Sequence, residues 1–234
     1  MFSILAHDIK SPLNLFQGLL NMSEEKTLSE KEFLEYQQIL KSRLKTLTCT
    51  VNELLTWSRL QLEGFTTEPV AVNIYKVAKE TINLYKALIE KKKIQLDLIC
   101  NENIEVMIDE NHFKMAFRNL LHNALKYSNS DGTVKIHAQK LGDRCELLIA
   151  DSGVGMDGAT LIAVRNKEIQ KSAAGTNHEI GTGIGLSLAL GLLEKNECKI
   201  ELMSEVNQGT TFKISLKTTT DKQRKYPPKA ILST

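Results

Sequence analysis

The sequence has little of what marks nucleic-acid binding, disulfide stabilisation or membrane insertion. Thirty Lys and Arg against 28 Asp and Glu give a net charge of +2, too balanced for a dedicated nucleic-acid binder. No apolar run approaches the ~18 residues of a membrane span, and the N-terminus lacks the basic segment followed by an apolar segment that marks a signal peptide. No C-x-x-C pair occurs, which excludes a zinc knuckle and favours a reducing compartment. The four cysteines are Cys49, Cys100, Cys145 and Cys198.

Glycine and proline are nearly absent from the first 62 residues, where only Gly18 and Pro12 occur. Apolar residues recur there in steps of three and four, which predicts two long amphipathic helices. The two apolar series are Leu5, Ile9, Pro12, Phe16 and Leu19, then Leu40, Leu44, Leu47, Val51 and Leu54. A helical hairpin of this length buries too little surface alone, so we expect it to pair with a second copy in a dimeric four-helix bundle.

After residue 70 the pattern changes to alternating helices and strands. Helices are predicted over 74–91, 111–127 and 184–195, and strands over 94–100, 105–108, 133–139, 145–150, 199–203 and 211–216. Short turns between strands favour a mixed, largely antiparallel sheet with helices on one face, an α/β sandwich. We therefore divide the chain into a helical domain at 1–63, a linker at 64–70, an α/β domain at 71–217 and a flexible tail at 218–234.

The first candidate for chemistry is His7. It lies ~200° around the helix from Leu5, so its imidazole should face water beside Asp8. Pro12 has no N–H for the carbonyl of Asp8, which loosens the helix next to His7. A histidine taken alone is more often a surface residue without a role. An exposed imidazole beside a carboxylate on a deformable helix is nevertheless suited to nucleophilic attack.

A second candidate site lies on the predicted helix 111–127. Asn119, Asn123, Lys126 and Tyr127 share one face beside an apolar face. An amide oxygen suits Mg²⁺ and a lysine suits phosphate oxygens, so this face predicts a polyphosphate site. The alternative is a solvated polar stripe, which is the more frequent case for a residue like Lys126 alone.

Two glycine-rich motifs follow. In Asp151-Ser-Gly-Val-Gly155, the carboxylate of Asp151 is placed to accept from an exocyclic amine, while Gly153 and Gly155 let the backbone turn around a flat ring. A simple tight turn is the alternative.

The second motif opens an apolar helix, where backbone N–H groups bind phosphate. It does not follow a strand, so the dinucleotide fingerprint is not met. Its residues are Gly181, Thr182, Gly183, Ile184, Gly185 and Leu186. The stretch before it, 172–178, is small and polar enough for a mobile lid.

In this order, the motifs resemble the transmitter core of a two-component sensor histidine kinase over roughly residues 2–217. Each motif is a weak signal alone, but the four in this order are specific. His7-Asp-Ile-Lys-Ser-Pro-Leu13 resembles the H box, Asn119-Leu-Leu-His-Asn-Ala-Leu-Lys-Tyr127 the N box, Asp151 to Gly155 the G1 box, and Gly181 to Leu186 the G2 box. Leu54-Leu-Thr-Trp-Ser-Arg59 is similar to the end of the second dimerisation helix.

The resemblance implies a Bergerat-type (GHKL) ATP-binding fold and a site for ATP and Mg²⁺. Asn123 would be the Mg²⁺ ligand, in a nucleotide site that also includes Asn119. Lys126 would meet the phosphates and Tyr127 would border the nucleotide. Asp151 would bind the adenine amine, supported by Thr210.

The resemblance also implies phosphotransfer. His7 would accept phosphate from ATP with Asp8 as base, and the phosphoryl group would pass to an aspartate of a response regulator. Ser11 stands where the family often has a Thr or Asn implicated in dephosphorylating that partner, and it keeps a hydroxyl there. The implied partners are a second copy of the chain and a receiver domain. We expect a cytoplasmic location, as the output part of a larger sensor whose membrane segment lies outside this chain.

The sequence is also compatible with two other classes of protein. ATP-hydrolysing relatives carry a Glu one turn before the metal-binding Asn, but Asn119 stands there and is no base. A non-catalytic dimeric scaffold that binds nucleotide is the other class. In its favour, the stretch from Leu161 to Arg165 lacks the phenylalanine of the family's F box. The presence of the predicted phosphoacceptor, base and ATP ligands argues against it.

Overall fold

The chain is described by a computed structural model, which covers residues 17–18, 36–41, 44, 48, 51–52, 55–56, 58, 66–168, 175–176 and 183–219. The chain divides into two units, Met1–Leu62 and Glu63–Thr234. In the first unit the described residues are all helical. The rest of the predicted hairpin lies outside the described residues, so the bundle stays a prediction. Among the described helices, none has the length and apolar character needed to span a membrane.

The second unit contains seven strands and five helices within its described ranges. The strands are Val70–Asn73 (β1), Gln95–Cys100 (β2), Glu105–Ile108 (β3), Thr133–Leu141 (β4), Arg144–Asp151 (β5), Lys199–Glu205 (β6) and Gly209–Lys217 (β7). The helices are Ile74–Leu84 (α1), Lys86–Lys92 (α2), Glu110–Tyr127 (α3), Gly158–Arg165 (α4) and Ile184–Lys195 (α5).

Five of the strands form one sheet in the order β2-β4-β5-β7-β6. β2 pairs with β4 in parallel, and the other three pairs are antiparallel. The prediction of a mixed, largely antiparallel sheet is therefore confirmed. β3 does not join this sheet; it pairs with β1 in a separate antiparallel ribbon.

The core lies between the sheet and the helices. Along β5, Cys145, Leu147 and Ile149 are buried while the residues between them are partly exposed, and β7 alternates in the same way. On α3 the apolar face is buried with them. Each fully buried Leu, Ile or Phe stabilises the fold by about 1.5–3 kcal/mol. This alternation fixes which side of each strand faces the helices, as expected for a two-layer sandwich.

Besides the separate pairing of β3, the structure differs from the prediction in four places. The helix predicted over 74–91 is two helices, separated at Tyr85, where φ is −101° and ψ is 11°. β1 and α4 were not predicted; α4 is capped by Asp157, whose side chain accepts from the backbone N–H of Thr160. The fold also extends beyond residue 217, because Thr218 and Thr219 are buried and their N–H groups donate to backbone carbonyls. A hydrophobic period cannot reveal a single non-helical residue or such long-range pairings.

Candidate nucleotide-binding site

α3 carries the predicted polyphosphate residues. Its first turn is fixed by Asp109, whose Oδ1 accepts from the N–H of His112 at 3.1 Å. Phe113 and Phe117 are buried under the helix and set its rotation. Asn119 is then 8% exposed and Lys126 only 2% exposed. The interpretation of this face as a solvated polar stripe is therefore wrong.

Asn119 lies where α3 and α5 meet. Its Nδ2 donates to the carbonyl of Met115 at 3.1 Å. A Cβ added to Gly185 would stand 2.6 Å from Asn119 Oδ1, closer than any real contact allows. Asn123, one turn further along, is half-buried. Its amide makes no hydrogen bond within the described part of the chain, so it is available to a ligand.

Lys126 and Tyr127 lie together at the end of α3. Lys126 Nζ donates to Tyr127 Oη at 3.1 Å and lies 4.7 Å from the centroid of the Tyr127 ring. A cation held against an aromatic face in this way is stabilised electrostatically. Lys126, the predicted phosphate contact, and Tyr127, the predicted nucleotide contact, are therefore adjacent.

Asp151 is the last residue of β5. Its Oδ1 accepts from the N–H groups of Gly153 at 2.9 Å and Thr210 at 3.3 Å. Burial raises the pKa of Asp151 to about 6, against the lowering effect of these two N–H groups. Its other oxygen, Oδ2, has no hydrogen-bond partner among the described residues. A largely buried carboxylate oxygen without a partner is suited to accept from a ligand N–H.

Glycine lets the backbone close tightly around Asp151. A Cβ on Gly153 would stand 2.2 Å from the carbonyl oxygen of Tyr127. Gly209 has φ +91°, and its Cβ would stand 1.9 Å from the carbonyl oxygen of Asp151. The N–H of Val154 also donates to Tyr127 O at 3.1 Å. The G1 motif is thereby joined directly to the end of α3.

Ser204 on β6 also contributes to the site and was not predicted from the sequence. Its Oγ accepts from the N–H of Met156, donates to the carbonyl of Gly209 and lies 2.9 Å from Thr210 Oγ1. This hydroxyl therefore links Met156, the residue after the G1 box, to the β6–β7 hairpin that carries Thr210. Ser204 and Thr210 are register partners, so only the strand register could have identified Ser204.

The structure brings most of the predicted ATP-site residues together. Gly185 meets Asn119, Gly153 meets the end of α3, and Asp151 meets Thr210. Gly183 precedes α5 with φ 74°. Five predicted residues lie outside the described ones: His7, Asp8, Ser11, Gly181 and Thr182. Their roles stay predictions.

The described residues fit an adenine nucleotide with Mg²⁺. Asp151 Oδ2 offers an acceptor for an exocyclic amine, and the Asn123 amide offers an oxygen ligand for the metal. The buried ammonium of Lys126 offers a charge for phosphate.

A family model supports ATP binding by this part of the chain. The model, described as "Histidine kinase-, DNA gyrase B-, and HSP90-like ATPase", matches residues 108–220. This segment is similar to the ATPase domains that the model describes. The matched range includes α3, Asp151 and Thr210, so the candidate site described above lies within it.

Two curated relatives that match about nine-tenths of the chain are named as a sensor protein and a histidine-protein kinase. It is 27% identical over 212 residues to the sensor protein DegM of a Bacillus species, covering 91% of this chain and 52% of DegM. It is 26% identical over 212 residues to the histidine-protein kinase ArlS of Staphylococcus aureus, covering 89% of this chain and 46% of ArlS. The chain thus spans about half the length of these curated relatives.

Solved structures share the fold. The Acinetobacter baumannii histidine kinase AdeS superposes with a TM-score of 0.69 at 17% identity, over 92% of this chain and 98% of AdeS. The histidine kinase ThkA, solved in complex with the response regulator TrrA, superposes with a TM-score of 0.66 at 22% identity, over 94% of this chain and 61% of that chain. Together with the family match, these relatives confirm the predicted resemblance to the catalytic core of sensor histidine kinases.

Proposed function

We propose that this chain is an ATP-dependent protein-histidine kinase of a two-component system. The observation that carries the ATP-binding part is Asp151, a largely buried carboxylate with one oxygen held by Gly153 and Thr210 and the other left open. The ATPase domain and the sensor-kinase relatives support the kinase part. Phosphotransfer itself is the step to be tested.

Within this function, each ATP-site residue has a separate task. Asp151 accepts from the adenine amine, which selects adenine over bases that present a carbonyl there. Lys126, adjacent to Tyr127, meets the phosphates. Asn123 holds Mg²⁺, which when bound neutralises charge on the phosphate oxygens during transfer. The glycines around Asp151 keep side chains out of the space that the nucleotide needs.

His7 is the proposed nucleophile. A ring nitrogen of His7 attacks the γ-phosphorus in line, forming the N–P bond while the bond to the β,γ-bridging oxygen breaks and ADP leaves. Asp8 accepts the imidazole proton. The phosphoryl group then passes from His7 to an aspartate carboxylate of a receiver domain. Ser11 is proposed to assist the separate hydrolysis of that aspartyl phosphate, in which water attacks the phosphorus and inorganic phosphate and the free carboxylate are released.

We further propose a homodimer that acts on a response regulator in the cytoplasm, where ATP is available. The helical residues described in the first unit fit a dimerisation hairpin. The crystal structure of ThkA with TrrA supports a receiver domain as the partner.

Acid treatment of the labelled protein separates this function from its rivals. Incubation with γ-labelled ATP and Mg²⁺ should give a phosphoprotein that is labile in acid, as phosphohistidine is. His7→Gln should abolish labelling, whereas His137→Gln, at a partly exposed histidine on β4, should retain it. An ATPase would release phosphate without labelling, and a scaffold would do neither. Unchanged labelling of His7→Gln, or an acid-stable label, would contradict the assignment.

A further inference from the structure

Lys92, the last residue of α2, is fully buried at 0% exposure. Its Nζ donates to the carbonyls of Leu125 at 2.9 Å and Lys126 at 2.7 Å, with Ser128 O at 3.3 Å. It also donates to Thr176 Oγ1 at 2.8 Å. A buried ammonium is thus surrounded by oxygen acceptors from two other segments of the chain.

These acceptors explain why a lysine is tolerated there. The last carbonyls of a helix have no partner within it, and a cation near a helix C-terminus is favoured by the helix dipole. α3 has 18 residues, and the Lys92 ammonium satisfies carbonyls in its last turn. Carbonyl capping alone would not require a contact with Thr176.

Thr176 donates to two of the carbonyls that also contact Lys92. Its N–H donates to Lys126 O at 3.2 Å, and its Oγ1 donates to Ser128 O at 2.6 Å. Thr176 lies between α4 and α5, in the chain between the two glycine motifs of the site. The backbone of Lys126, the proposed phosphate ligand, is therefore held jointly by Lys92 and Thr176.

We propose that Lys92 and Thr176 form a positioning pair for nucleotide binding. The pair fixes the end of α3, and with it the Lys126 side chain, and orders the chain at Thr176 before the ligand arrives. A site that is already ordered loses less conformational entropy on binding. Because the pair is defined by its effect on nucleotide affinity, this role depends on the proposed ATP-binding function.

The decisive variant is Thr176→Val, which removes the hydroxyl and keeps the shape of the side chain. Thr81→Val is the matched control, because Thr81 is also a buried threonine whose Oγ1 donates to a backbone carbonyl, that of Val77 at 2.8 Å, on α1. The full chain is titrated with Mg²⁺ and the non-hydrolysable analogue AMPPNP by calorimetry. Thermal unfolding of the nucleotide-free proteins is measured in parallel.

We expect Thr176→Val to weaken binding by about tenfold, equivalent to about 1.4 kcal/mol, and Thr176→Ser to restore it. Thr81→Val should change the unfolding temperature comparably but leave the affinity as it is. Lys92→Met should weaken binding at least as much, and adding Thr176→Val to it should have little further effect, since the two residues act as one unit. If Lys92→Met does not fold, the affinities of Thr176→Val, Thr176→Ser and Thr81→Val test the proposal without it.

The experiment distinguishes failure of the positioning role from failure of the ATP-binding function. If the wild-type chain binds Mg·AMPPNP and Thr176→Val binds equally tightly, the positioning role is wrong while ATP binding stands. An affinity loss in Thr81→Val as large as that in Thr176→Val would likewise reduce the pair to a structural role. If the wild-type chain does not bind Mg·AMPPNP, both the ATP-binding function and the pair are wrong.

Discussion

At the scale of single residues, the protonation state of Asp151 links the stability of the fold to the proposed binding of the nucleotide. Its pKa is raised from 3.8 to about 6 because burial disfavours the charged form. The folded state therefore binds this proton more tightly than the unfolded state does. The resulting stabilisation is fully present below about pH 4 and is lost as the pH rises through about 6. Near pH 7 the protein holds an unfavourable buried carboxylate, which is useful only if a ligand donates to it.

Asp151→Asn should stabilise the nucleotide-free protein at pH 7.5, by something on the order of 1–3 kcal/mol. The gain should shrink toward pH 4, where wild-type Asp151 is itself protonated. The same variant should bind Mg·AMPPNP at least about tenfold more weakly, because it can turn an amide N–H toward the adenine amine. Thermal melts at both pH values and calorimetric titration test this.

Asp157→Asn is a suitable control for this prediction. Asp157 is exposed, and the backbone N–H of Thr160 lowers its pKa, so its replacement should give no such gain at pH 7.5. A stabilisation equal to that of Asp151→Asn would show that the effect comes from net charge and not from burial.

Gly153 offers a steric test of the same site. A Cβ there would stand 2.2 Å from the Tyr127 carbonyl oxygen, so Gly153→Ala must displace backbone. We expect a loss of about 1–3 kcal/mol in unfolding free energy, typical of overpacking, together with weaker nucleotide binding. In Gly158→Ala the new methyl group meets nothing within 4 Å. Equal urea midpoints for the two variants would contradict the tight approach of the G1 loop to α3.

At the scale of elements, α3 is fixed at both ends by other parts of the fold. Lys92 satisfies carbonyls at its C-terminus. At its N-terminus, Asp109 caps His112 N through Oδ1, accepts from Glu68 N through Oδ2, and donates its own N–H to Asn196 Oδ1. The helix that carries the proposed ATP-site residues Asn119, Asn123, Lys126 and Tyr127 is therefore positioned by contacts that span much of the sequence.

Asp109→Ala should lower the unfolding free energy by about 1–2 kcal/mol, the usual loss for an N-cap. This loss of unfolding free energy should be larger than the loss in Asp157→Ala. The Asp109 carboxylate also accepts from Glu68 N, whereas Asp157 caps only its own helix, α4. Urea unfolding of the two variants gives the comparison. A larger effect at Asp157 would indicate that α3 is held by its packing alone.

The length of a helix or strand determined how well it could be predicted from the sequence. The strands of the main sheet and the bounds of α5 were predicted closely, because their apolar periods are set by one buried face. β1 has only four residues and α4 eight, too few for a period to stand out. The break at Tyr85 involves a single residue, so the predicted helix continued through it.

At the scale of the whole molecule, the two units are expected to perform separable tasks. All of the proposed ATP-site residues belong to the unit Glu63–Thr234, which has its own core. A fragment of residues 63–234 should therefore fold cooperatively and bind Mg·AMPPNP with the affinity of the full chain. It should sediment as a monomer and incorporate no γ-phosphate, because it lacks His7 and the proposed dimerisation hairpin.

Analytical ultracentrifugation and labelling of both proteins test this division. The full chain should sediment as a dimer and become labelled. A dimeric fragment would place the self-association surface in the ATPase domain, and a full chain that stays monomeric would contradict the proposed bundle.

The sequence by itself determined the layered α/β fold, the mixed sheet and the identity of the ATP-site motifs, since these depend on local period and on residue order. Only the tertiary structure decided how those residues are held. Lys92 is the middle of three successive lysines and looks like any surface charge, yet its partners lie 33 to 84 residues away. The raised pKa of Asp151 and the link from Ser204 to Thr210 likewise depend on burial and strand register. Burial and hydrogen bonding between distant segments are properties of the packed chain, and no local pattern of residues encodes them.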